Sequence, residues 1–131
     1  MDCPYKCIFG ISDRPEGLPE NSAFRASHKN RSYLCQTDRR GNFFFFAFSK
    51  RKEDATFALN QRYTSEDERE AVAEYGNDAV FSGLKFKDVY ARRSLATLVP
   101  LQEYVLDKCF YKRAILIGDS FHKVNHLIYH V

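Results

Sequence analysis

Apolar residues along this chain gather in short segments separated by turn chemistry. Tyr5 to Ser12 reads Tyr-Lys-Cys-Ile-Phe-Gly-Ile-Ser, a β-favouring run closed by the proline-bearing stretch Asp13 to Pro19. It predicts a strand that ends in a loop continuing to about Asn30. Arg31 to Thr37 and Asn42 to Ser49 are the next two apolar segments, joined by Asp38-Arg39-Arg40-Gly41. Those four residues are the chemistry of a hairpin connection. In the second strand of this hairpin Phe44, Phe46 and Phe48 alternate with Phe43, Phe45 and Ala47, so both faces are apolar and the strand is expected at the centre of its sheet.

Helical signals follow. Thr64 or Ser65 can cap a helix whose first turn is Glu66-Asp67-Glu68, with Ser65 and Glu68 spaced as a capping box and the acids matched to the helix dipole. This helix is predicted to end near Tyr75, before Gly76, and a second short one to span Phe86 to Arg92. Leu95 to Leu106 is apolar apart from the break at Pro100, which predicts a strand that bends or meets a sheet edge there. Ala114-Ile115-Leu116-Ile117 is a continuous apolar run, the pattern of a strand covered on both faces, and Gly118-Asp119-Ser120 closes it before an expected helix start. The resulting fold class is α+β with a mainly antiparallel sheet.

Composition narrows the picture. The 131 residues suit one core, and 44% hydrophobic with 28% charged is the balance of a globular chain. No apolar run approaches the roughly 18 residues of a spanning helix, and the N-terminus shows no secretory pattern, so no membrane segment and a cytoplasmic setting are expected. The net charge of +3 is scattered along the chain, which argues against nucleic acid as a partner. Cys3, Cys7, Cys35 and Cys109 form no C-x-x-C pair and are expected as reduced thiols. Twelve Phe and eight Tyr are the unusual feature, ring surface that must be buried or line something apolar.

Chemistry concentrates at Arg113 to Lys123. A strand delivering Gly-Asp-Ser to a helix start sets a carboxylate at the carboxyl end of the strand, where open sheets bind ligands. Gly118 permits close ligand approach, and Asp119 can accept hydrogen bonds from sugar-alcohol hydroxyls. The alternative is structural, with Asp119 or Ser120 as a helix cap. Phe44, Phe46 and Phe48 are candidates for the wall of an apolar substrate pocket, against plain core packing. His122, His126 and His130 recur every fourth residue, but no carboxylate sits among them as in H-E-x-x-H, and no metal site is assigned.

The segment from Arg113 to Lys123 resembles the second flavin-contacting motif of FAD-dependent monooxygenases of the para-hydroxybenzoate hydroxylase type: an apolar strand, Gly-Asp-Ser or Gly-Asp-Ala, then X-His. Gly118 and Asp119 match the motif's pair, Ser120 its small residue and His122 its histidine. The resemblance implies that Asp119 holds the ribityl chain of FAD. The runs Leu98 to Glu103 and Lys108 to Arg113 look like the fungal branch that oxidises isoprenoid chains in indole-diterpene and meroterpenoid pathways. Tyr5 to Ser12 and Cys35 to Phe48 are similar to its substrate-domain sheet. By this resemblance residues 1–93 correspond to substrate-domain sheet and helices, 94–125 to the return into the FAD-binding part, and 126–131 to a divergent tail.

The departures are specific. Gly10, Gly17, Gly41, Gly76, Gly83 and Gly118 include no pair two residues apart, so no G-x-G-x-x-G is present. After Asn125 the family's Pro-Leu and Gly-Gln-Gly give way to His126-Leu-Ile-Tyr-His-Val131. The resemblance therefore implies an internal piece of a larger monooxygenase acting on an apolar small molecule, with FAD as cofactor and NAD(P)H as electron donor, and inactive alone. No residue offers itself as catalytic acid or base. The alternatives are a stand-alone α+β binding protein with an apolar cavity and a catalytically dead remnant.

Overall fold

A computed structural model describes residues 2–51 and 62–124. Its main element is a six-stranded antiparallel sheet built from β1 (Asp2–Asp13), β2 (Ala23–His28), β3 (Arg31–Thr37), β4 (Asn42–Lys50), β7 (Arg93–Val105) and β10 (His122–Lys123) in the order β10-β7-β1-β4-β3-β2. Between β4 and β7 lie α1 (Ser65–Tyr75), the small ribbon β5 (Ala79–Phe81) and β6 (Leu84–Lys85), and α2 (Phe86–Ala91). A second small ribbon, β8 (Phe110–Tyr111) and β9 (Ala114–Ile115), precedes β10. The α+β class with a mainly antiparallel sheet is as expected, and β4 is central, flanked by β1 and β3.

The β3–β4 hairpin is held by its turn. Asp38 accepts hydrogen bonds from the backbone N–H of Arg40 (2.9 Å) and Asn42 (2.8 Å) and from the Asn42 side-chain amide (2.7 Å), so an aspartate closes the loop as the sequence pattern implied. These bonds to Asn42, with Arg40's contribution, hold the Asp38 carboxyl below its ordinary value.

Strand β2 corrects the expectation of a loop running to Asn30. Ala23 to His28 alternates exposed and half-buried, with Phe24, Ala26 and His28 inward, and pairs with β3 through a turn in which Asn30 is left-handed (φ 61°). An edge strand needs one apolar face of modest size, and this one is masked by Arg25 and Ser27 between the inward residues. The α1 cap is also displaced by one residue from the Ser65–Glu68 pairing. The Thr64 hydroxyl accepts from the Asp67 N–H (3.2 Å), and the Asp67 carboxylate accepts from the Thr64 N–H (2.6 Å). Glu68 is instead engaged by the Tyr90 hydroxyl at 2.6 Å, which ties α1 to α2.

One sheet face carries the core. Register places Ile8, Ala47 and Tyr33 in one cross-strand row and Gly10, Phe45 and Cys35 in the next, all under the helices. Phe86 at the start of α2 is wholly buried, with ring centroids 5.3 Å from Tyr33, 5.7 Å from Phe45 and 5.8 Å from Tyr75. Gly10 is fixed by packing: a Cβ there would lie 2.6 Å from the Phe45 ring and 2.3 Å from the Leu95 carbonyl oxygen. The glycine therefore lets β7 and the Phe45 ring close against β1 together.

The opposite face is divided. Tyr5, Cys7, Ser32 and Phe48 are buried at one end, while at the other Phe9, Phe46 and Leu95 are 36%, 39% and 53% exposed. Pro100 lies opposite Lys6, on a stretch of β7 with a neighbour on one side only among the described strands, as its missing N–H requires. No helix among the described residues is long and apolar enough to cross a membrane.

Candidate functional site

The Gly118–Ser120 region departs from its expected setting. The predicted strand Ala114 to Ile117 shrinks to the two residues of β9, paired with β8, and it is not covered on both faces: Ile115 and Ile117 are 73% and 79% exposed. An apolar run becomes a buried strand only where a packing layer meets it, and among the described residues none does. Nor does a regular helix start near Ser120. Gly118–Ser120 forms a single 3-10 turn, and the chain returns to extended structure at His122–Lys123, pairing with Tyr104 and Val105.

Within that turn the polar groups have distinct engagements. Gly118 is left-handed (φ 61°), with nothing within 4 Å of where a Cβ would point. The Ser120 hydroxyl donates to the Ile117 carbonyl at 2.6 Å, and the Phe121 N–H closes the turn onto the Gly118 carbonyl at 3.0 Å. Tyr104 donates its hydroxyl to the Asp119 carbonyl at 2.7 Å, anchoring the turn to β7. The Asp119 side chain is exposed and makes no hydrogen bond among the described residues, so its carboxylate can accept from a ligand. His122 is exposed on the edge strand β10.

Phe44, Phe46 and Phe48 do share one face, opposite the core. Phe46 stacks on Phe48 (6.1 Å) and on Phe9 of β1 (6.3 Å), making a ring ladder across two strands. Phe48 is buried, Phe44 half-buried and Phe46 the most open of the three. With Leu34 and Leu95 around them, they form an open apolar surface. Strands β7 and β1 separate β4 from β10, so three strand spacings, roughly 14 Å, lie between the ladder's strand and that of His122.

Of the spaced histidines only His122 falls among the described residues; His126 and His130 lie outside them. No group of three His, Cys, Asp or Glu that could hold a metal occurs among the described residues. The four cysteines are free thiols. Burial pushes Cys7 and Cys35 up to about 12, which keeps both protonated and poor nucleophiles.

A polar cluster that sequence reading missed joins the sheet to the helices. Asp78, after α1, accepts from Arg31 Nε (2.6 Å) and Nη2 (3.0 Å) and from the Tyr33 hydroxyl (2.6 Å). His28 Nδ1 stands 4.0 Å from the same carboxylate, and its Nε2 lies 2.8 Å from the Ala79 carbonyl. Burial opposes the charge on Asp78, but the hydrogen bonds from Arg31 and Tyr33 outweigh it and hold the carboxyl below its ordinary value. Burial, reinforced by Asp78, pushes the Tyr33 phenol up. The signal was faint: Arg31 and Tyr33 two apart on a strand with a buried face, and a partner forty-seven residues distant.

Comparisons with known proteins bear on this geometry. No protein-family model matches the chain. It is 44% identical over 123 residues to the FAD-dependent monooxygenase asqG of Emericella nidulans, a match covering 94% of this chain and 22% of that protein. It is 32% identical to the FAD-dependent monooxygenase esdpE of Penicillium shearii, over 95% of this chain and 26% of the other. A third relative, the FAD-dependent monooxygenase atnA of Arthrinium, is 32% identical over 92% of this chain and 16% of its own length. The chain thus spans about a quarter or less of each of these proteins. Among solved structures, that of the tetracycline destructase Tet(51) superposes with a TM-score of 0.55 at 10% identity, covering 91% of this chain and 31% of the other, which establishes likeness of fold. Over nearly all of its length, this chain is similar to one segment of each of these fungal FAD-dependent monooxygenases.

Proposed function

We propose that this chain supplies the substrate-facing sheet and one cofactor-contacting turn of an FAD-dependent monooxygenase that oxygenates an apolar, isoprenoid secondary metabolite. The observation that carries the reading is the 44% identity to the Emericella nidulans monooxygenase across 94% of the chain. Residues 1–93 correspond in this reading to the substrate domain, 94–125 to the return into the FAD-binding part and 126–131 to a divergent tail, the whole being an internal segment of a longer protein.

The residues present fit the cofactor at one point. The open backbone at Gly118 and the unengaged Asp119 carboxylate suit close contact with a hydroxylated chain such as the ribityl of FAD. Ser120 acts by holding the turn through its bond to Ile117, and His122 flanks the same turn on β10. The remaining contacts with FAD, including a glycine-rich turn for its pyrophosphate, lie outside these 131 residues. Reduced by NAD(P)H, the bound flavin would supply the oxygen chemistry; the chain's own share is binding, orientation and exclusion of water. Phe9 and Phe46, with half-buried Phe44 beside them and buried Phe48 stacked behind Phe46, offer rigid apolar area for an isoprenoid chain. The exposed β8–β9 ribbon and Ile117 supply the apolar surface on which the FAD-binding part would dock.

A chimera tests this. With this chain in place of the matching segment of the Emericella nidulans protein, the product should hold flavin and oxidise NADH or NADPH, and Asp119→Ala should lower its flavin content without unfolding it. A folded chimera without flavin, or one indifferent to Asp119→Ala, would overturn the reading. The chain alone should retain no FAD after refolding with an excess; stoichiometric flavin there would point to a self-sufficient small flavoprotein.

A further inference from the structure

We propose that the end of the sheet formed by Lys6, Arg31 and Ser49, beneath the last residue of α1, is a binding site for a phosphate-type oxyanion. Lys6 on β1 and Arg31 on β3 are both register partners of Ser49 on β4, and His28 on β2 is the partner of Arg31. These four residues therefore form a single row across four strands, on the core-facing side, with neighbouring strands about 4.8 Å apart. The next row inward is Ile8, Ala47, Tyr33 and Ala26, so a polar and basic row borders an apolar one.

A cavity of about 280 Å³ opens over the row. Its walls carry four cationic side chains, Lys6, Arg31, Lys50 and Arg51, against one carboxylate, Glu74. A neighbouring cavity of about 450 Å³ shares Arg31 and Lys50 with it and adds His28 and Lys29, so the basic surface is continuous around this end of the sheet. Arg31 is committed to Asp78, and Arg51 donates to the Cys3 carbonyl at 2.9 Å. Lys6 and Lys50 are the flexible cations of the walls.

Two hydroxyls give the site its chemistry. Ser49 and Tyr75 are 4% and 2% exposed and line the cavity, yet among the described residues Ser49 Oγ and Tyr75 Oη have no partner in hydrogen-bonding geometry. The two are close enough for Ser49 to pull against the rise that burial imposes on Tyr75, but not in hydrogen-bonding geometry. Native proteins pair nearly all their buried polar atoms. Two buried donors beside two lysines call for an acceptor carrying several oxygens and negative charge, which a phosphoryl group provides. A phosphoryl group presents three terminal oxygens and more charge to these donors, where a carboxylate presents two oxygens.

Isothermal titration of the full chain with inorganic phosphate and with pyrophosphate, at fixed ionic strength against chloride, tests the proposal. Saturable one-to-one binding is expected. Lys6→Ala should weaken it about tenfold or more, the loss expected for one charged hydrogen bond. Ser49→Ala and Tyr75→Phe should each weaken it severalfold. Because Ser49→Ala removes an unpaired buried hydroxyl, its Tm without anion should stay level or rise while the phosphate-dependent increase in Tm falls away, a split that misfolding could not produce. Arg40→Ala, at the hairpin turn, should bind as the parent does. No saturable binding of either anion, equal binding by Ser49→Ala and the parent, or association with phosphatidic acid vesicles in place of either soluble anion would overturn the assignment.

Discussion

Strand β4 presents two rows of phenylalanine that differ in what meets them. Phe43 and Phe45 are both sealed, Phe43 against Phe24 of β2 and Phe45 under Phe86 of α2, which also packs on Tyr33. Phe46, one residue away on the other face, is 39% exposed and stacks on a Phe9 that is itself 36% exposed. Residue type and strand are shared, so neither decides burial; the presence of a second layer does. The sealed row is therefore expected to carry stability, and the open stretch of the other face around Phe46 and Phe9 to carry contact with something outside these residues.

Mutations can break this comparison directly. Phe86→Ala or Phe45→Ala should cost about 3–5 kcal/mol in urea unfolding, from lost burial plus the cavity left behind. An equal loss for Phe46→Ala would show the open face to be covered core. Asp78→Ala should cost about 2–3 kcal/mol, since it strands the Arg31 guanidinium in a partly buried site and leaves the Tyr33 hydroxyl only its longer bond to the Tyr75 carbonyl, at 3.4 Å. The same cluster predicts acid lability. The folded-state pKa of Asp78 is lowered, so its contribution is complete above the unfolded value near 4 and drains away as pH falls through the folded value. The acid limb of a Tm–pH profile should flatten in Asp78→Asn.

Smaller effects sharpen the contrast. Gly10→Ala should cost about 1–3 kcal/mol, because the new methyl meets the Leu95 carbonyl and the Phe45 ring and must part β1 from β7. Thr64→Ala should cost about 1 kcal/mol through loss of the α1 cap. Smallest of all, Phe46→Ala and Asp119→Ala should move unfolding by no more than about 0.5–1 kcal/mol, the first losing half-exposed ring contact and the second nothing the fold uses. Effects of these two on flavin or substrate in the chimera, without effects on unfolding, would set the open face and the turn apart as functional.

What the sequence disclosed follows the same division. The β3–β4 hairpin was legible because alternation, two apolar faces and an aspartate turn all agreed. Helix α1 was legible from its capping residues and acidic first turn, with Thr64 and Asp67 forming the box in place of Ser65 and Glu68 because Thr64 and Ser65 are chemically equivalent candidates, and α2 ends one residue short of its expected span. Strand β2 was hidden because its inward face is modest and its outward face polar. Ala114 to Ile117 misled for a physical reason: a local apolar run reports a demand for burial, and whether a partner meets it is a tertiary fact. The Asp78 cluster was illegible because its members come from β2, β3 and the end of α1. Gly118 and Asp119 were singled out by spacing and resemblance, whereas the turn's anchoring to Tyr104 became visible only in the fold.

Strand β1 sits between β4 and β7, with Gly10 opposite Phe45 on one side and Ala96 on the other. During synthesis the first of these partners emerges early and the second late, after residues 51–92 have been made. At roughly 5–20 residues per second that interval is about 2–8 s. Throughout it, β1 offers an unpaired edge in which Phe9 and Ile11 alternate with Ile8 and Gly10, a surface to which another nascent copy can add. Slower translation between β4 and β7 lengthens that exposure and should lower the yield of soluble protein.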